Sequence, residues 1–267
     1  MCTAFVSIEP GAAVPVLLLS VRDEYLGRAW LPPDHHWPDR PGLLGGLDLA
    51  AGGTWLAADP ERRVAACLLN GFGPAAPAGT RRSRGVLALT AVQEGGIGHL
   101  DLTPHDPFHL VVARPDGARV TSWGGGRLEE HELPPGLSVV LNDGLEGLSA
   151  NRTASERIRA LMAARAEHFR ARLEAAPRPE PHGDGPVERA WGAWLPIVTG
   201  DGLPLDDDAA LIQRRDFGDG RIWGSSSISL LALGPDRLRY DFAPAPVPAG
   251  GGAWRRVAPG PDRHGGS

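Results

Sequence analysis

The chain has 267 residues, a formal charge of −5, and 27 basic residues that are all arginine. Without lysine there is no Schiff-base residue, no pyridoxal-phosphate anchor of that kind and no lysine-type phosphate loop, and the acidic balance argues against nucleic acid and membrane surface as partners. The length suits one sizeable core, 36 glycines and 26 prolines forecast many loops, and the two cysteines, Cys2 and Cys67, make neither a disulfide framework nor a zinc site.

The chain starts Met1-Cys2-Thr3. Removal of Met1 would leave Cys2 with a thiol near pKa ~8.5 and a free amine near ~7.7–8.0, close enough for the neutral amine to take the thiol proton. Taken alone, a cysteine at position two reads better as an arbitrary small residue; later stretches shift that balance. No basic leader precedes it, and the longest apolar run, Val14 to Leu19, is too short for a signal core or a membrane span, so a soluble, cytoplasmic protein in a reducing compartment is expected.

Thr3 to Ile8 and Val14 to Leu19 read as a buried hairpin broken at Glu9-Pro10-Gly11. The continuous apolar run implies cover on both faces, hence helical layers. Arg22-Asp23-Glu24 follows directly, and strand alternation would turn at least one of these charges inward. They read either as a solvated strand end or as an arginine–carboxylate pair at the edge of a site. Leu26 to Ala51, rich in Pro, Gly and Asp, reads as a long irregular connection, and Asp34-His35-His36 within it fits solvated histidines better than metal ligands.

Asp48 to Leu56 and Val64 to Leu69 read as a second strand pair, with Cys67 packed as a small hydrophobe. Gly52-Gly53 suits either a close backbone approach or a bulge, and Asn70-Gly71 closes the run with an amide. Together, Met1-Cys2, Arg22-Asp23-Glu24-Tyr25 with Arg28, the nine residues Asp48 to Leu56 and Ser83-Arg84-Gly85 resemble the ordered signature of the Asn-Arg-Asp-Glu family, which includes the transport and Golgi organisation proteins. The resemblance implies the N-terminal-nucleophile hydrolase fold, an α+β, four-layer αββα sandwich of two largely antiparallel sheets, with the cysteine exposed by loss of methionine. The leading asparagine of the signature is Val21 here.

Farther on, Arg84 to Glu94 reads as a helix with Val86, Leu87, Leu89 and Val92 inward. Pro107 to Ala113 and a strand ending at Trp123 form a hairpin about Pro115-Asp116-Gly117, and Leu128 with Val139 to Leu141 suggests a further pair. Asn142 is an oxyanion donor by analogy with related cysteine amidases, or equally a turn asparagine. Thr153 to Ala175 reads as a long packing helix with Leu161, Met162, Phe169 and Leu173 inside and arginines outside. Val187 to Val198 reads as a helix broken at Pro196, and Asp206-Asp207-Asp208 as the acidic start of another. Ile222 to Leu230 opens a closing hairpin that turns at Gly234-Pro235-Asp236, and Gly224 stands where the family usually has arginine, with Arg221 nearby. The expected organisation is one domain over 1–243 and a Pro/Gly-rich, disordered tail over 244–267.

The expected chemistry is an amide or ester hydrolase or acyltransferase without metal or cofactor, acting on a small amide, ester or acyl substrate. Cys2, Arg22, Asp23 and Asn70 or Asn142 would do the catalysis, and Glu24, Trp55 and Arg221 would bind the substrate. The rival is a non-enzymatic binding or carrier protein for an acyl-thioester, lipid or haem-like ligand. Nothing in the residues fixes the oligomeric state.

Overall fold

The computed structural model describes residues 2–146, 153–216, 218, 220–247 and 253–257. In chain order the elements are β1 (Thr3–Ile8), β2 (Val16–Tyr25), β3 (Trp30–Asp34), β4 (Leu44–Asp48), β5 (Leu56–Asp59), β6 (Val64–Asn70), α1 (Gly85–Glu94), β7 (Phe108–Arg114), β8 (Gly117–Trp123), β9 (Leu128–Glu132), β10 (Gly136–Leu141) and β11 (Gly144–Leu145). Then come α2 (Glu156–Ala175), α3 (Val187–Trp191), α4 (Trp194–Val198), β12 (Arg214–Asp216), β13 (Ile222–Leu233), β14 (Leu238–Pro244) and β15 (Arg255–Arg256).

The strands form two antiparallel sheets. One runs β11-β10-β1-β2-β13-β14-β15, with β12 on β13, and the other runs β3 to β9 in sequence order. Period-two alternation decides what each face of the first sheet touches. Ala4, Val6, Ile8, Val16 and Leu18 pack between the sheets against Leu56, Cys67 and Val111. Phe5, Leu17, Leu19 and Val21 point the other way, into Phe169, Leu173, Trp191 and Trp194 of α2, α3 and α4. The outer face of the second sheet is covered by Leu87, Ala88, Leu89 and Val92 of α1. The result is an α+β sandwich of four layers, and β1 and β2 are buried on both faces as their unbroken apolar runs require.

Several expectations are corrected. Leu26 to Ala51 holds two strands rather than a loop: a Cβ on Gly46 would sit 2.2 Å from the Trp55 ring and one on Gly45 2.5 Å from the Leu56 carbonyl, so the glycines that suggest a loop allow close packing within a sheet. Val86 is exposed, on the solvent side of α1. β9 and β10 are not partners, because β9 pairs with β8 and β10 with β1 across the sandwich. The break between α3 and α4 falls at Gly192, whose φ of 47° a side chain rarely adopts, whereas Pro196 is the third residue of α4, where its missing N–H costs nothing. No helix follows Asp206-Asp207-Asp208; Asp207 Oδ1 instead accepts from Ala209 N at 2.8 Å within a turn. Within the Pro/Gly-rich stretch, Arg255–Arg256 pair with β14, while 248–252 and 258–267 lie outside the described residues.

One irregularity decides which way the serines of β13 point. Along that strand, Ser229, Leu231 and Leu233 face between the sheets, so alternation would send Ser225 there too. A bulge intervenes: Ser225 pairs with Asp23 and Ser227 with Arg22, leaving Ser226 as the extra residue. It turns Ser225 toward the helical layer.

Candidate active site

Arg22 and Asp23 are adjacent in β2 and therefore point to opposite faces of the sheet. Both are buried, and each meets a different set of partners. On the face between the sheets, the Arg22 guanidinium lies 4.5 Å from the centre of the Trp55 ring and donates to Ser226 Oγ at 2.9 Å, with Glu24 Oε2 at 3.7 Å. On the helical face, Asp23 accepts from Ser225 Oγ at 2.6 Å, Gln213 Nε2 at 2.5 Å and Arg165 Nη1 at 3.1 Å. Arg165 is fully buried and also donates to Thr3 Oγ1 at 3.1 Å, which ties α2 to the first residue of β1. Burial works against the charge of Asp23, but the positive amino terminus, Arg165 and the Ser225 hydroxyl outweigh it and hold the carboxyl below its usual range.

Cys2 directly precedes β1, whose Thr3 pairs with Val21. Its thiol packs against the core between the sheets and donates to the Asp23 carbonyl at 3.4 Å. Burial raises the thiol pKa, opposed by the positive amino terminus and by Arg22 and reinforced by the Asp23 charge. Cys67, by contrast, is fully inside β6, donates to Ser20 Oγ at 3.2 Å and is pushed by burial up to about 12.

The thiol opens onto a cavity of about 480 Å³ at the end of the sandwich. Of the residues singled out from the sequence, Cys2, Arg22, Asp23, Glu24, Trp55 and Asn70 all line it. Asn142 is not among the lining residues: its amide donates to the Asn70 carbonyl at 2.6 Å, so it anchors the end of β6 that carries Asn70. Arg221 is exposed and does not line the cavity, whereas Trp223, two residues on, does. Met1 lies outside the described residues.

The double glycine at 52–53 also finds its explanation here. A Cβ on Gly53 would lie 2.5 Å from the Gly85 backbone, and Thr54 N donates to Gly85 O at 3.1 Å. The close approach is thus to the chain's own 81–85 segment, which it brings to the cavity wall with Arg81, Arg82 and Arg84. Arg28 closes the mouth beside them, donating to Asp48 Oδ2 at 2.8 Å.

Three partners of Asp23 escaped the sequence reading: Arg165, Gln213 and Ser225. Only Arg165 left a signal, since it falls four residues after Leu161 and four before Phe169, on the buried stripe of α2 rather than on its arginine-rich face. Among the described residues no cluster of His, Cys, Asp and Glu would hold a metal ion, and no helix is long and apolar enough to cross a membrane.

Residues 1–167 match the family model described as transport and Golgi organisation 2, and the chain belongs to that family. No curated protein sequence matches it significantly. The matched segment carries Cys2, Arg22, Asp23, Trp55, Asn70, Asn142 and Arg165, while Gln213, Ser225 and Trp223 lie beyond it.

Proposed function

We propose that this member of the transport and Golgi organisation 2 family is an amide or ester hydrolase or acyltransferase whose nucleophile is Cys2, freed at the amino terminus by removal of Met1. The observation that carries the reading is the convergence of Cys2, Arg22, Trp55 and Asn70 on one cavity, with the Asp23 carboxylate buried behind the amino-terminal end of β1. In the first step the thiol proton passes to the neutral α-amine of Cys2, and the sulfur bonds to the acyl carbon while the carbonyl electrons move onto oxygen. Arg22 and Asn70 stabilise that oxyanion, and Asn142 positions Asn70. Collapse breaks the C–N or C–O bond, and the leaving group takes its proton from the ammonium. Water, or an acceptor amine or alcohol, then cleaves the thioester and returns the thiol. Asp23 stabilises the ammonium that forms when the amine takes the thiol proton and orients it toward the leaving group.

The test uses p-nitrophenyl acetate on purified protein of known intact mass. The expected result is a burst of p-nitrophenolate and an acetyl adduct mapped to Cys2 of chains lacking Met1. Full activity in chains that retain Met1, or an adduct elsewhere with Cys2 unmodified, overturns the mechanism.

A second reading, a carrier of the same fold without turnover, draws on two observations. Burial raises the Cys2 thiol, and a protonated thiol is a poor nucleophile. At Gly224 a Cβ would come 2.8 Å from the Gln213 carbonyl, so an arginine there would displace the residue that hydrogen-bonds Asp23. Tight binding of an acyl ligand with no burst and no adduct favours this reading.

A further inference from the structure

The charge of the cavity is opposite to that of the chain. The protein carries −5 overall, yet five arginines, Arg22, Arg28, Arg81, Arg82 and Arg84, line this one space. Four carboxylates line it as well, but Asp23 is turned to the other face of the sheet and ion-paired to Arg165. The remaining three are Glu24, shared between Arg22 at 3.7 Å and Arg28 at 3.9 Å, Asp48 on Arg28 and Asp106 on Arg81. Five guanidinium groups therefore meet three carboxylates. Arg82 is exposed and Arg84 donates only to the Pro107 carbonyl, at 2.8 Å; among the described residues neither is ion-paired.

Part of the surplus, Arg84, acts at the thiol. Arg22 and Arg84 both act electrostatically on Cys2, from β2 and from the 81–85 segment respectively. Partly desolvated guanidinium groups on several walls of a concave site favour anionic oxygens, which they grip in pairs, and a low-dielectric surround strengthens that attraction. Trp55 and Trp223 supply apolar surface on the same walls for the rest of a ligand.

We infer that the cavity selects anionic substrates: the acyl compound that reaches Cys2 carries a carboxylate or phosphate group, which Arg82 and Arg84 receive. This deepens the reading of Cys2 as a nucleophile and rests on it for the word substrate. The preference for anions itself rests only on the arginines.

The test compares two alkylating agents of nearly equal size, iodoacetate and iodoacetamide, one anionic and one neutral. The ratio of their rates at Cys2, mapped by mass spectrometry, is measured on native protein and on the same protein in urea. The expected native ratio exceeds the denatured one by roughly tenfold, within the range electrostatic focusing supplies, and it collapses as salt is raised. Arg82→Gln and Arg84→Gln should each lower it several-fold; Arg82 is exposed and unpaired, so that variant keeps the fold. A native ratio equal to the denatured one, or unchanged in both variants, overturns the inference. If neither reagent labels native Cys2, the nucleophile reading falls, and titration with inorganic phosphate decides the inference alone. A rise in the thermal midpoint that both substitutions abolish supports it, and no rise overturns it.

Discussion

Two carboxylates are buried on the same face of the same sheet, and only one of them backs a cavity. Asp241 on β14 accepts from Arg239 and Arg256 and from Trp191 Nε1 of α3 at 2.7 Å, so both its oxygens are filled. Asp23 on β2 is held as firmly by Arg165, Gln213 and Ser225, but its strand neighbour Arg22 faces open space beside a thiol. The ion pair is the same device in both places. What distinguishes them is what alternation puts on the reverse side: Tyr240 and Phe242 in the packed core behind one, Arg22 and the cavity behind the other.

The largest expected effect treats the two sites alike. Arg165→Met and Arg239→Met each take the most deeply buried cation from a buried carboxylate and should cost about 3–5 kcal/mol in urea unfolding, although Asp241 keeps Arg256. A loss well under 1 kcal/mol at Arg165 would show that Gln213 and Ser225 carry Asp23 without it. Acid then separates Asp23→Asn from wild type. The folded-state pKa of Asp23 is depressed, so the unfolded chain binds the proton more readily, and the stabilisation is present above the ordinary carboxylate pKa and lost as pH falls through the lower folded value. Unfolding free energy of the wild type should therefore fall more steeply below about pH 4 than that of Asp23→Asn; parallel curves would contradict the assignment.

Chemistry at the thiol should break the symmetry altogether. The Asp23 charge disfavours the Cys2 thiolate and the Arg22 charge favours it, so the pH profile of Cys2 alkylation should move to lower pH in Asp23→Asn and to higher pH in Arg22→Gln. Asp241→Asn should leave the profile in place, and a shift there would mean that the effect travels through general loosening of the fold. The smallest effect belongs to Cys67→Ala, which removes one buried sulfur from the core between the sheets. A loss of about 1 kcal/mol with unchanged Cys2 labelling is expected; loss of all thiol reactivity would exchange the roles of the two cysteines.

Much of this contrast is written plainly in the chain. Unbroken apolar runs such as β1, β2 and β7 declare themselves as strands, and a charged triplet at the end of one marks where the sheet opens. The four layers follow from strands with no polar face. Less legible are features whose cause is a distant neighbour. The glycines of β4 look like loop residues until the Leu56 carbonyl is seen against Gly45 and the Trp55 ring against Gly46, and Gly53 and Gly85 explain each other only when placed together. Leu128 and Val139 to Leu141 read as a pair, though the chain between them crosses from one sheet to the other. Arg165 is the instructive omission. A charge on the apolar stripe of a helix has to have a buried partner, and the sequence offered one in Asp23, but nothing local joins positions 142 residues apart.

The bulge at Ser226 makes the site tolerant of one kind of change and intolerant of another. Because Ser225 reaches Asp23 only by way of an extra residue, and that residue serves Arg22 from the opposite face, the two halves of the network are set by a count rather than by an identity. Replacing a side chain at 225–227 alters only the bonds of that one hydroxyl, whereas losing or gaining a residue there exchanges the faces presented by the adjoining stretch of β13. In lineages that keep this chain's arrangement, divergence along this segment should therefore proceed by substitution, with insertions and deletions collecting in the loops on either side.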